Sequence, residues 1–248
     1  MRPLPRVAAA AAGALGSTLA LRALQGRPPG GARRWSRINH AGEPVTLLEG
    51  PAYVAGSLVG LLAGSGGLGP GLAASAAGAF GALDDLAGDG SRKGLRGHLA
   101  ALTRGEVTTG AVKIAGLGLS GLVAAALIDR RVTGGTTRPS PVGTFAAAGV
   151  IAGTANVMNL LDLRPGRALK ATVLAALPLG LAGGAGAVTA AAAAGAALGS
   201  LPPDLAGKAM LGDTGANAAG ALVGAALVER LGTRGRLEGT LQTGHLGH

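Results

Sequence analysis

Two adjacent aspartates, Asp84 and Asp85, are the first residues along the chain whose type and position suggest chemistry. They end a long apolar stretch, and a helix C-terminus carries partial negative charge that disfavours further acidic groups. The two carboxylates also repel each other. A bound cation would offset both costs, and a hard cation such as Mg²⁺ prefers oxygen ligands. A solvated loop start explains the pair equally well from the sequence alone.

A second polar motif, Asn156-x-x-Asn159-x-x-Asp162, ends another apolar stretch. Its spacing of three places the polar groups along one slowly drifting face of a helix. Polar groups at the end of an apolar helix usually face a cavity or the interior of the bundle. An asparagine both donates and accepts hydrogen bonds, as binding a uracil or a sugar amide requires. We therefore expect substrate binding here, and hydrogen bonding between helices is the alternative.

The third motif, Gly212-Asp213-Thr214-Gly215, leads into the last apolar stretch. Asp213 or Thr214 is expected to cap the helix that follows. The N-terminus of that helix would then offer its N–H groups to an anion. The Asp213 carboxylate suits a cap and a metal ligand alike, and the glycines permit close approach of another backbone.

The apolar stretches along the whole chain predict an all-α fold, a polytopic transmembrane helix bundle of about eight spans. Several spans are shorter than the ~20 residues that a bilayer requires. Arg2 and Arg6 before the first span are also typical of a signal peptide, but the basic residues directly after it favour a span. The predicted spans are 7–24, 52–64, 68–83, 111–128, 142–161, 168–181, 185–198 and 214–231.

The composition supports a membrane protein packed through small residues. Charged residues make up 14% of the chain, against about 25% in soluble domains. Aromatic residues make up only 2% and there are 47 glycines, so close helix packing must come from Gly and Ala. The net charge of +10 lies in clusters between apolar runs, which suits lipid headgroups and phosphates rather than nucleic acid. The absence of cysteine excludes disulfides and thiolate metal sites. The alternative is a soluble, Ala/Gly-rich α/β domain.

The order of the motifs predicts a shared membrane face. They follow the third, fifth and seventh spans, so they lie on one side whichever way the chain inserts. Basic residues are more numerous after the odd spans, which places these loops in the cytoplasm. We therefore expect one multi-pass domain over residues 1–248 in the cell membrane. Its cytoplasmic loops are expected at 25–51, 84–110, 162–168 and 199–213.

Taken in this order, the motifs resemble those of the polyprenyl-phosphate N-acetylhexosamine-1-phosphate transferases. This family, glycosyltransferase family 4, includes the phospho-N-acetylmuramoyl-pentapeptide transferase. The resemblance runs from about residue 35 to residue 228. The family's Asp-Asp, Asn-x-x-Asn-x-x-Asp and Gly-Asp-x-Gly motifs match residues 84–85, 156–162 and 212–215, and a family lysine matches Lys113.

The resemblance implies transfer of a sugar-1-phosphate from a UDP-sugar to a polyprenyl phosphate, with Mg²⁺ as cofactor and UMP as the second product. It implies that Asp213 ligates the metal and that a homodimer is compatible with the fold. The implied catalytic residues are Asp84, Asp85 and Asp213, and the implied substrate-binding residues are Asn156, Asn159, Asp162 and Lys113.

The chain departs from the family pattern at Pro165, where the family has a second aspartate. Arg164 and Arg167 flank this proline, and a guanidinium group suits a phosphate. We therefore expect Arg164 to hold a phosphate of the donor and Pro165 to turn the loop. This departure, and eight expected spans where the family has about ten, favour a non-catalytic scaffold that binds prenyl phosphate as the main alternative. A transporter is a third interpretation.

Overall fold

Helices make up most of the polypeptide that the structure describes. A computed structural model describes residues 3–39, 42–87, 109–132, 134 and 140–244, with only the backbone described at 87, 109–113 and 233–244. Within these ranges the protein is all-α, 81% helical, with eight α-helices. The helices are α1 (Leu4–Gly26), α2 (Glu49–Ala63), α3 (Leu68–Ala87), α4 (Thr109–Val132), α5 (Pro141–Leu161), α6 (Arg167–Ala182), α7 (Ala187–Leu205) and α8 (Gly212–Gly244).

A small β-hairpin lies between α1 and α2. It follows a 3-10 turn (Ala32–Trp35) and pairs β1 (Ser36–Ile38) with β2 (Pro44–Thr46) in antiparallel fashion. The Trp35 ring is buried against the hairpin and the adjoining helix ends. The hairpin therefore closes one end of the bundle.

Local sequence explains the borders of α5. Ser140 accepts the N–H of Gly143 at 3.4 Å, and Pro141 occupies the first helical position, as capping preferences predict. At the other end α5 stops at Leu161, and α6 begins after Gly166, which has a φ of 71°. Pro165 lies in the turn between these helices, as the sequence predicts.

Each of the eight apolar stretches overlaps one helix, so the all-α prediction is confirmed and the α/β alternative is wrong. By length and composition, two of the described helices, α1 and α5, could cross a membrane. A bundle of about eight spans stays a prediction.

Helices α7 and α8 lie at the centre of the bundle. Residues 190–197 of α7, all alanine or glycine, are buried throughout. Helix α1 packs on α7, whereas α3 and α5 pack on α8. Large side chains are therefore scarce in the core, and backbones meet backbones.

Three pairs of glycines, each spaced by four residues, set these close approaches. A Cβ at Gly195 would overlap the carbonyl oxygen of Ala10 on α1. The small-residue packing predicted from the composition is therefore present. The pairs are Gly56 and Gly60 of α2 against α1, Gly195 and Gly199 of α7 against α1, and Gly220 and Gly224 of α8 against α5.

The outer surface of the bundle is also apolar. Every described helix exposes large apolar side chains, among them Leu15 and Leu62 at 64% and 81%. Others include Leu19, Leu68, Leu119, Phe145, Leu160, Leu174, Leu181, Leu198 and Leu231. Isolated exposed leucines are ordinary on a soluble protein, but a contiguous apolar surface usually contacts a partner or a membrane.

Replacing Gly195 with Ala is expected to destabilise the bundle, because the new methyl group would meet backbone that cannot rotate away. Overpacking of this kind costs about 1–3 kcal/mol. Gly149→Ala is the matched control, since Gly149 is an exposed helical glycine with no atom within 4 Å of an added Cβ. Thermal unfolding in detergent should show a lower midpoint for Gly195→Ala only. Equal midpoints would refute the close α1–α7 contact.

Candidate functional site

The sequence motifs meet at one end of the bundle, where α3, α5 and α7 end and α2, α6 and α8 begin. Two backbone hydrogen bonds tie the hairpin to the segment before α8. The Thr46 N–H donates to the Lys208 carbonyl at 3.3 Å, and the Met210 N–H donates to the Thr46 carbonyl at 3.0 Å. Gly50, at the start of α2, packs directly on Leu211 and Gly215. The hairpin, α2 and α8 therefore form one packed unit.

Asp85 caps α8 from the neighbouring helix α3. Its carboxylate accepts the N–H of Asp213 at 3.0 Å, the N–H of Thr214 at 2.9 Å and the Thr214 hydroxyl at 2.6 Å. Gly81 and Gly212 allow this approach, since a Cβ at Gly81 would overlap the Asp213 carbonyl and one at Gly212 would crowd the Asp85 carboxylate. The contact joins two motifs that lie 128 residues apart.

This arrangement corrects the expected cap. Asp213 and Thr214 lie within the first turn of α8, which begins at Gly212, and Asp85 supplies the capping oxygens. The positive end of the α8 dipole compensates the Asp85 charge, so this carboxylate does not need a cation to offset its position. Arg37 of β1 donates to the Asp85 carbonyl and so holds the end of α3.

Three carboxyl groups are buried next to this cap. Glu49 is 0% exposed, Asp204 is 2% exposed and Asp162 is 4% exposed. Neither Glu49 oxygen, nor Asp162 Oδ2, has a hydrogen-bond partner among the described residues. Asp204 Oδ1 accepts the Gly166 N–H at 2.6 Å. Burying a carboxyl group without hydrogen-bond partners is costly. Such groups are therefore unusual outside functional sites.

The surroundings shift the proton affinities of these groups, which lie at helix ends outside the predicted spans. Burial, followed by the negative charges of Asp204 and Asp162, raises the pKa of Glu49 to about 10. Burial and then the charge of Asp204 raise the pKa of Asp162 well above its usual value. Burial also raises the pKa of Asp204, although the Gly166 N–H and the charge of Lys170 act in the opposite direction. Asp85 and Asp213 also raise the pKa of Asp162 by their charges, so the acids of three motifs share one environment.

The motif that ends α5 divides between two environments. Asp162, the C-cap of α5, is buried, Asn159 is half-buried and Asn156 is exposed. At about 100° per residue, steps of three spread these side chains over roughly a third of the helix circumference. The structure therefore brings Asp162, but not Asn156, to the buried carboxyl groups.

Asn217, two residues after the Gly-Asp-x-Gly motif, is a further buried polar group. It is 0% exposed, and its amide oxygen and nitrogen have no partner in the described part of the chain. Gly220 and Gly224 follow Asn217 on the same side of α8. Gly220 packs on Thr154 of α5 and Gly224 packs on Ile151, so the two helices run antiparallel. Asn217 is thus about one turn nearer to Asp162 than Gly220 is.

Glu49 and Asp204 lie in the predicted loops 25–51 and 199–213, and they complete the buried group. A usable signal is an acid within a few residues of an apolar stretch: Glu49 lies three residues before 52–64, and Asp204 lies six residues after 185–198. Their burial follows from packing of Gly50 on α8 and from the Gly166–Asp204 hydrogen bond.

The remaining predicted residues lie around the cluster or outside the description. Asp84 is half-buried, and Arg164 is exposed in the turn after Asp162. The Lys113 side chain lies outside the described residues, as do 88–108 of the predicted loop. Within the described ranges, no three carboxyl or imidazole groups lie close enough together to ligate one metal ion. Asp213 as a magnesium ligand stays a prediction.

The geometry defines a class of protein, an all-α helix bundle with an apolar exterior and a buried acidic site at one end. Comparison with known sequences adds no further assignment, because neither a protein-family model nor a curated protein matches the chain.

Glu49 should make stability depend on pH when no metal is present. The usual carboxyl pKa of 4.5 applies to the unfolded chain, and the pKa of Glu49 is about 10 in the folded protein. Only the unfolded state loses the proton between these values, so the unfolding free energy falls as the pH rises. The stabilisation is complete below pH 4.5 and is lost towards pH 10.

Thermal unfolding in EDTA at several pH values between these limits measures this dependence. Glu49→Gln should flatten the decline, whereas Glu43→Gln, at an exposed hairpin residue, should leave it unchanged. Parallel pH profiles for Glu49→Gln and the wild type would show that Glu49 does not hold its proton in the folded state.

Proposed function

We propose that the chain is an integral membrane phosphoglycosyl transferase, which moves a sugar-1-phosphate from a UDP-sugar to a polyprenyl phosphate and releases UMP. The observation that carries the proposal is the convergence of the three acidic motifs at one end of an apolar bundle. Asp85 contacts Asp213 and Thr214 directly. Asp162 is buried close enough for the charges of Asp85 and Asp213 to raise its pKa.

The membrane part of the proposal rests on the surface of the bundle. Large aliphatic side chains are exposed on every described helix, and the interior is packed through Gly and Ala. Water would oppose such a surface, whereas lipid tails would not. Several helices are shorter than a perpendicular span of ~20 residues, so local thinning of the bilayer would accompany an eight-span arrangement.

The orientation proposed from basic residues gains support from the opposite end of the bundle. Arg6 donates to the carbonyls of Gly180 and Leu181, and Arg131 donates to the Ser65 carbonyl at 3.0 Å. These arginines satisfy carbonyls at helix C-termini, which gives them a structural role. When these two arginines are left out of the count, the acidic end has a larger excess of basic residues over the opposite end. This favours a cytoplasmic active face.

In the proposed reaction the acidic end positions two phosphates. Mg²⁺ would be held by Asp213, where it would neutralise phosphate charge during transfer. The acidic end suits this ion, because Mg²⁺ prefers oxygen ligands and the unpartnered buried Oδ2 of Asp162 belongs to a carboxyl group within range of the Asp213 charge. Asp85 fixes the start of α8 and so positions Asp213, and Asp84 would orient the lipid phosphate or act as base.

The donor nucleotide would lie at the turn between α5 and α6. Asn159 and Asp162 end α5 there, and the exposed Arg164 follows within the same turn. Asn156 would contact the donor only from the exposed side of α5. Lys113, at the start of α4, is proposed to meet the lipid phosphate.

The alternative, a scaffold that binds prenyl phosphate without catalysis, is favoured by one observation. Both Asp85 oxygens accept hydrogen bonds from the start of α8, so neither is placed to act as a base. Purified protein with a UDP-sugar, a polyprenyl phosphate and Mg²⁺ separates the two. UMP release supports the transferase, whereas lipid binding without UMP release supports the scaffold.

The membrane topology can be tested without background labelling, because the chain has no cysteine. Single cysteines at the exposed positions Lys208 and Gly134 should react with a membrane-impermeant reagent from opposite sides. Lys208→Cys should be labelled only from the cytoplasm and Gly134→Cys only from outside. Labelling of both from one side would contradict the proposed arrangement of spans.

A further inference from the structure

The junction between the start of α2 and the end of α5 holds buried carboxyl oxygens, several of which accept no hydrogen bond from the described residues. Glu49, Asp162 and Asp204 are buried there, and no described basic side chain forms an ion pair with any of them. The free atoms are Glu49 Oε1 and Oε2 and Asp162 Oδ2. Buried carboxylates are normally paired or bound to a metal.

The third carboxyl group differs from the other two. Asp204 accepts the Gly166 N–H at 2.6 Å and interacts with the charge of Lys170. Asp162 also accepts a backbone hydrogen bond from Gly212. The Glu49 carboxyl interacts with that of Asp204. Of these three groups, only Asp204 is affected by a basic side chain, so Glu49 and Asp162 are the two carboxyl groups without a nearby positive charge.

We propose that Glu49 and Asp162 together bind a divalent cation of the Mg²⁺ and Mn²⁺ class at this junction. The proposal concerns binding alone and does not require transferase activity. The ion would displace the proton that Glu49 holds in the metal-free protein, and its charge of +2 would balance the two carboxylates, while Asp204 retains the favourable charge of Lys170. The unpartnered Asn217 amide lies on the side of α8 that packs on α5, about one turn nearer to Asp162 than Gly220 is. An amide oxygen is a ligand type that such ions accept.

The choice of ion follows from the number and kind of donors. No three carboxyl groups of the described chain are close enough to ligate one ion, so at most two carboxylates can bind it directly. Mg²⁺ is usually held by one or two carboxylates and keeps several waters. Zinc prefers nitrogen and sulfur ligands, and the free side-chain donors of Glu49 and Asp162 are oxygens only.

Manganese binding to purified full-length protein in detergent, followed by electron paramagnetic resonance without substrates, tests the site. Glu49→Gln and Asp162→Asn should each weaken Mn²⁺ binding by at least roughly tenfold. Asp204→Asn should have a smaller effect, and Glu43→Gln, at an exposed acid in the hairpin, should have none. Mg²⁺ should raise the thermal unfolding midpoint of the wild type more than that of Glu49→Gln.

The variants also separate this site from the ion proposed at Asp213. Weaker binding in Glu49→Gln with normal binding in Asp213→Asn supports the inference and removes Asp213 from the proposed function. Loss in both variants supports the inference and indicates that Asp213 acts on the same ion without ligating it directly. Unchanged Mn²⁺ binding and an unchanged Mg²⁺-dependent midpoint in Glu49→Gln would overturn the inference, whatever Asp213→Asn does.

Discussion

Asp213→Asn is expected to lower UMP release by at least roughly 100-fold while the helix bundle stays folded. Replacing a group that merely supports a metal ligand typically costs roughly 10- to 100-fold in affinity or activity, and loss of the ligand itself should cost no less. The fold should survive, because the start of α8 is held through the Asp213 backbone N–H and Thr214, which the substitution preserves.

Asp85→Asn is the informative comparison. It removes the charge that accepts three hydrogen bonds at the start of α8, and loss of such a cap costs about 0.5–2 kcal/mol. Thermal unfolding should therefore separate the variants, with a lower midpoint for Asp85→Asn and a nearly unchanged midpoint for Asp213→Asn. An Asp213→Asn protein with unchanged magnesium dependence would leave Asp213 with only a structural role.

Arg164→Ala is expected to weaken UDP-sugar binding roughly 10- to 100-fold, because a charge-assisted contact contributes about 1.5–3 kcal/mol. Arg164 is exposed in the turn directly after the buried Asp162, so its loss should leave the packing intact. Arg33→Ala, at an exposed arginine in another loop, is the control. Nucleotide binding and UMP release should both fall for Arg164→Ala only.

Pro165→Asp tests the same loop from the other direction by restoring the acid that the resembling family has at this position. Two hydrogen bonds in the turn do not involve Pro165, one from the Gly166 N–H to Asp204 and one from the Arg167 N–H to the Arg164 carbonyl at 3.2 Å. The substitution should therefore be tolerated structurally. If Arg164 has replaced the acidic contact, Pro165→Asp should not increase activity. A silent Arg164→Ala together with new activity in Pro165→Asp would favour a degraded transferase, and hence the scaffold interpretation.

The order of the elements could be predicted from the sequence because apolar stretches of sufficient length have few alternatives to helices. Each of the eight stretches overlaps a helix. The position of the acidic motifs after alternate stretches predicted one shared face, and the motifs do lie at one end of the bundle, where Asp85 contacts Asp213 and Thr214. Connectivity alone was sufficient for this part of the site.

The role of individual acids could not be predicted, since it depends on contacts between distant segments. Asp85 caps a helix that starts 127 positions later in the chain, and local preferences assigned that cap to Asp213 or Thr214. Glu49 looked like an ordinary loop acid, but the packing of Gly50 on Leu211 buries it. Asn156 was grouped with Asp162 by spacing, although the helical rotation between them exposes Asn156.

The most direct test of the central claim is the coupling of UMP release to formation of a lipid-linked sugar phosphate. Purified wild-type protein, a radiolabelled UDP-sugar, polyprenyl phosphate and Mg²⁺ should yield equal amounts of UMP and labelled lipid. Both products should vanish with EDTA, without the lipid phosphate, or in Asp213→Asn. Labelled lipid that forms equally well in Asp213→Asn, or no labelled lipid from a folded wild type with any UDP-sugar, would contradict the assignment of the acidic end as a transferase site.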